Sequence, residues 1–251
     1  MLTNIIKKTS DFNTRYPHWP LIAIALLAWA YYAIEATLLS NSSHAQHHTH
    51  HSSQTLITSL TSWMLMVCAM MLPMLSKTAR FIHSVTPQYR QNRALLLCVI
   101  GYSFIWASLL LTVEGISLIT KLLSIDTNIN KSVLASFAFL IVGIINQTSY
   151  RKNAVFACGS ARTPRINGWK ADLDTFKVGL QEGSNCFRSC AHIMLAMLTT
   201  SHSIWQMAII TLVLIYERAQ LPRKTNYLTI LCYLFSTAYL VLYVSQRLQA
   251  I

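Results

Sequence analysis

The sequence predicts an all-α fold, a polytopic transmembrane helical bundle of seven membrane segments with its N-terminus cytoplasmic, forming a single integral membrane domain over residues 1–251. Three observations predict it. Charged residues make up only 11% of the chain against 53% hydrophobic ones, whereas an ordinary soluble domain carries about 25% charge. Five apolar stretches, 20–40, 56–76, 94–120, 131–149 and 226–246, reach the roughly 20 residues that a crossing of about 30 Å of hydrocarbon requires. Finally, 16 lysines and arginines fall on one set of alternating loops and three, Lys121, Lys131 and Arg247, on the other. Short cytoplasmic loops collect such residues.

The elements follow in order. The first apolar run starts at residue 20, behind Lys7, Lys8 and Arg15, and has no small-residue cleavage site. Its length is that of a span, so it reads as a helix rather than a removed signal. The second stretch carries Pro73, which is expected to kink or end the helix near the inner interface and free backbone carbonyls there. After the spans 94–120 and 131–149 comes the largest inside region, 150–183. There Phe176, Val178 and Leu180 alternate with Lys177, Gly179, Gln181 and Glu182, which suggests a short interfacial helix. Two short segments, 186–200 and 203–217, are separated by Thr199, Thr200, Ser201, His202 and Ser203. Such a polar break predicts a tight helical hairpin; a re-entrant hairpin would leave every other assignment unchanged. The last span, 226–246, ends outside.

Other classes are excluded. Seven Gly and six Pro rule out a collagen-like or linker chain, and six Cys in 251 residues rule out a disulfide scaffold. The formal charge of +12 would suggest nucleic acid in a soluble protein. Here its placement encodes topology, so the expected partner is the lipid bilayer and no nucleic acid.

Residues able to hold a transition-metal ion are concentrated in three places. The outer loop after the first span places His44, His47, His48, His50 and His51 within eight residues, a flexible set of imidazoles suited to capturing borderline metals. A solvated polar loop has the same composition. In the fifth segment, Cys186, Cys190, Met194 and Met197 fall within about 80° of one another at 100° per residue. Thiols lead into thioethers, and such soft ligands select Cu(I), while thiolates also hold zinc. His192 lies on another face, Cys158 in the preceding loop is the natural third donor, and His83 is a weaker fourth. Cys and Met are equally common fillers of helical cores. In the second span, five of nine methionines crowd between Met64 and Met74. Met64, Cys68 and Met71 share one face and Met66, Met70 and Met74 another, so Met70 and Met71 are candidate relay ligands while others only pack. Glu35 and Glu114, toward the outer ends of their spans, form a candidate entrance pair against the simpler reading that each snorkels.

These residues also resemble a family. Trp63 through Pro73 is similar to the Trp-x-x-Met-Val-x-Ala-Met-Met-Leu-Pro span of the bacterial predicted metal-binding integral membrane proteins, a domain of unknown function. Gly101-Tyr102-Ser103-Phe104-Ile105-Trp106 resembles their Gly-Tyr-x-x-x-Trp span, and Arg151-Lys152 to Pro164 their basic, cysteine-bearing loop. Gly179 through Met194 resembles Gly-x-x-x-Gly-x-x-Cys-x-x-Cys-Cys-Trp-x-x-Met, and Ile215 through Arg218 the closing Leu-Glu-Lys. The likeness covers about residues 60–220. It departs at Ser189, where the family pattern has a cysteine, at Ala191 in place of Trp, and at Ala154, near the position of a second loop cysteine. The resemblance implies metal binding and no reaction.

The expected function is that of a bacterial inner-membrane, multi-pass, non-enzymatic protein that handles or transports copper, or zinc. An inner Cys/Met site and an outer histidine capture loop would carry it, with a membrane or metallochaperone protein as partner. The alternative is an accessory or assembly subunit without metal. A membrane thiol oxidoreductase is a third reading, opposed by the absence of a CxxC pair and of any nucleotide or flavin fingerprint.

Overall fold

The computed structural model describes residues 18–41, 56–122, 130–158, 163–165, 168–200, 204–220 and 227–249. Among them the regular structure is all helical: α1 (Trp19–Asn41), α2 (Leu56–Met71), a 3-10 turn (Leu72–Leu75), α3 (Ser76–Val85), a second 3-10 turn (Gln88–Arg90), α4 (Gln91–Leu122), α5 (Lys131–Gln147), α6 (Ser149–Ala157), α7 (Trp169–Leu198), α8 (Ile204–Gln220) and α9 (Tyr227–Gln249). Three helical stretches are long and apolar enough to cross a membrane, Ile57–Val85, Gln88–Thr120 and Tyr227–Gln249. A fourth crossing is available if α5 and α6, bent by 71° at their junction, count as one.

The chain forms two compact units, Met1–Leu110 with Gly159–Gly183, and Leu111–Cys158 with Ser184–Ile251. In the first unit, Pro73 sets the geometry of the methionine-rich helix. Proline has no amide to offer the carbonyl four residues back, and that carbonyl, of Ala69, accepts instead from Trp29 Nε1 at 3.0 Å. Trp63 Nε1 donates to the Trp106 carbonyl at 2.9 Å. The 3-10 turn that follows leads into α3, so the second span continues as helix to Val85 rather than stopping at 76.

The early turns of α4 and α7 run parallel in this unit and approach closely. A Cβ on Gly179 would collide with the Cys98 carbonyl oxygen, one on Gly101 would lie 2.5 Å from the Phe176 carbonyl oxygen, and one on Gly183 3.1 Å from that of Tyr102. Small residues let apolar helices pack backbone to backbone. At the beginning of the pair Asp172 binds both Arg90 and Arg93, the latter at 2.7 Å.

The separate interfacial helix expected near 176–182 does not form. Residues 169–198 are one 30-residue helix, and 186–200 is its second half rather than a short independent segment. The reason is a buried stripe through both halves, Ala171, Thr175, Val178, Glu182, Cys186, Ser189, Ile193 and Met197, spaced three or four residues apart as a helix requires. The break after it does form: Thr199 and Thr200 turn their hydroxyls and amides back onto the Ala196 and Met197 carbonyls.

In the second unit α5 and α9 pack antiparallel. Ser136 and Ser236 donate to each other's carbonyl at 2.9 Å, Phe139 stacks on Tyr239 with 6.0 Å between centroids, and Gly143 makes room for the Tyr233 ring. Asn130 opens α5 by accepting from the Ser132 amide at 3.0 Å.

Candidate metal site

The second half of α7 carries the sulfur-bearing residues into the interior of the second unit. Cys186 and Cys190 are 1% and 3% exposed and stand one turn apart on the same helix. Met194 and Met197 continue the same face and are fully buried. Ala191, Ile193 and Ala196 are buried as well, so burial surrounds α7 here on more than the sulfur face. Ser189, where the family pattern carries a cysteine, donates from Oγ to the Cys186 carbonyl at 2.9 Å and lies 3.4 Å from Cys190 Sγ. Serine thus keeps a hard oxygen beside the thiol pair in place of a third sulfur.

Cys158 ends α6 and is half-buried. Asn185 Nδ2 donates to the carbonyl of the preceding Ala157 at 3.1 Å, which tethers the end of α6 to the residue before Cys186. Among the described residues no three His, Cys, Asp or Glu side chains converge as a metal-holding group. Cys186 and Cys190 thus stand as a pair of thiols on α7, and Cys158 does not close a three-thiolate cage with them. A two-sulfur set suits Cu(I), which accepts few soft ligands, and falls short of the four that structural zinc takes.

Around this pair lies a polar network. Arg151, 7% exposed, donates from Nη2 to Glu217 Oε2 at 2.8 Å and from Nε to the Ser189 carbonyl at 3.4 Å. Glu217 is equally buried and accepts the Leu228 amide at 3.0 Å on Oε1, which anchors the first turn of α9. Asn146, on the other side of the α5–α6 bend, contacts His192 Nε2 through Oδ1 at 2.9 Å and donates from Nδ2 to Cys232 Sγ at 3.6 Å. The bend directs Asn146 and Arg151 into the same interior from two helices.

The remaining predicted ligands are placed differently. Met70 and Met71 are fully buried in the first unit, with Met66 and Met74 also buried while Met64 and Cys68 are partly exposed. The division of the methionines into two faces is thus not a division into buried and exposed sets. His83 is half-buried in the first unit, Glu35 exposed and Glu114 half-buried. His44, His47, His48, His50 and His51 lie outside the described residues. His192 makes its hydrogen bond to Asn146, in keeping with its different face. Periodicity could not reveal Asn146, Cys232, Arg151 and Glu217 as neighbours of the thiols; the available signal was a lone amide and two charges bordering apolar runs, where polar groups are costly.

A family model described as a copper chaperone, PpoB2, matches residues 60–242. No curated protein and no solved structure matches the chain.

Proposed function

Because the chain belongs to the PpoB2 copper-chaperone family, we propose that it is a non-enzymatic, membrane-embedded carrier that binds Cu(I) at Cys186 and Cys190 and passes it on. The single observation that carries this reading is the buried thiol pair one turn apart, followed on the same face by Met194 and Met197. Thiolates bind the ion, and thioethers, being neutral and weaker, let it move on. Carriage needs binding firm enough to enter and loose enough to leave. Cys158, at the tethered end of α6, joins as a third thiolate when the ion arrives.

In this proposal the chain crosses a bacterial inner membrane seven times with its N-terminus inside. The loop holding His44, His47, His48, His50 and His51 captures copper outside, and Met70 and Met71 offer further thioethers to the ion. The ion travels inward or to a protein partner, a membrane protein or a soluble metallochaperone. The positive-inside distribution of 16 to three basic residues supports the orientation. A metal-free accessory subunit remains the rival, favoured by the lack of any three-ligand His/Cys/Asp/Glu group among the described residues.

The test is copper content by mass spectrometry of detergent-purified chain without a histidine tag and with the outer histidine loop deleted, beside its Cys186→Ser/Cys190→Ser variant. Stoichiometric copper that drops by at least one ion per chain in the variant is the expected result. No copper in the parent chain would leave the accessory subunit.

A further inference from the structure

The carriage reading concerns one face of α7, and the neighbouring cluster of the same unit uses another. Asn146 spans two side chains with one carboxamide, its oxygen on His192 and its nitrogen on Cys232. These partners come from α7 and α9, helices distant in sequence, and Asn146 from α5. Cys232 is fully buried and His192 partly so. A thiol and an imidazole are competent donors for Cu(I), an ion that two ligands can hold. Turning the Asn146 side chain about χ1 would withdraw the carboxamide that contacts both, and the imidazole and sulfur would then be free to take an ion.

Resting on the copper-carrier reading, we propose that Cys232 and His192 form a second Cu(I) position, gated by Asn146, on a face of α7 other than that of the Cys186–Cys190 pair. Copper remains Cu(I) throughout; each thiol releases its proton to water as it ligates, and no electron moves.

The test uses the full chain in detergent with His44, His47, His48, His50 and His51 all replaced by alanine. Under anaerobic conditions Cu(I) is titrated against a chromophoric Cu(I) chelator, and copper X-ray absorption is recorded. The expected result is two Cu(I) per chain with a copper–nitrogen shell. Cys186→Ser/Cys190→Ser keeps one ion and the nitrogen shell; Cys232→Ser keeps one ion and loses the shell, as does His192→Ala. A parent that binds Cu(I) only through sulfur overturns the second position without needing any further variant to fold, and leaves the carrier reading standing. So does a nitrogen shell that survives both Cys232→Ser and His192→Ala. A parent that binds no Cu(I) overturns both.

Discussion

Replacing Glu217 with alanine removes the counter-charge of a guanidinium that is 7% exposed and takes the acceptor from the Leu228 amide. Breaking one side of a buried pair costs about 3–5 kcal/mol, because the surviving charge stays desolvated and unpaired. Loss of the anchor at the start of α9 adds roughly 1 kcal/mol, the usual worth of an N-terminal cap. Arg151→Met leaves Glu217 with only the Leu228 amide and also withdraws the donor from the Ser189 carbonyl, so its cost falls in the same range of about 3–5 kcal/mol. The double variant Arg151→Met/Glu217→Leu strands no charge. It keeps only the lost anchor and the misfit of two new side chains, about 1–3 kcal/mol together. Either single substitution should therefore be more destabilising than the double, which reversible unfolding in mixed micelles with increasing SDS would measure. Single effects that add to the double within about 0.5 kcal/mol would refute the argument, since groups that do not interact are additive to that degree.

Two further outcomes follow from the first unit and the second. Trp29→Phe withdraws the donor from the Ala69 carbonyl and should cost about 1–3 kcal/mol as an unsatisfied buried acceptor; in a Pro73→Ala background, where residue 73 regains an amide, the same change should cost visibly less in the SDS titration. Gly179→Ala forces the α4–α7 contact apart at the Cys98 carbonyl and should destabilise by about 1–3 kcal/mol. Gly115→Ala, on α4, meets nothing within 4 Å and should instead stabilise that helix by roughly 0.5–1 kcal/mol. Equal melting shifts for the two glycine variants would contradict the close packing.

Much of the helical plan is legible in the chain because hydrophobic length is a local property. The helices over 91–122, 131–147 and 227–249 lie within a few residues of the stretches that hydropathy marks, and the Thr-Thr break after Leu198 stands where the polar run predicts it. The element that hydropathy misreads is α7. Its first half is too polar to score as a span, yet it buries Thr175 and Glu182 against its neighbours, so one helix was divided at the point where composition changes. Likewise Pro73 was legible as a source of freed carbonyls, but not that Trp29, 44 positions earlier, would supply the donor.

The candidate site divides along the same line. Spacing alone determines that Cys186, Cys190, Met194 and Met197 share a helix face, because a helix repeats every 3.6 residues, and the family match over 60–242 agrees with the metal chemistry of those residue types. Only the tertiary structure decides what surrounds them: the serine beside the thiols, the Arg151–Glu217 pair nearby, and the Asn146 amide that reaches Cys232 across 86 positions of sequence and His192 across 46. Those neighbours are set by how bent and parallel helices pack, a relation between distant segments that no periodicity within one segment contains.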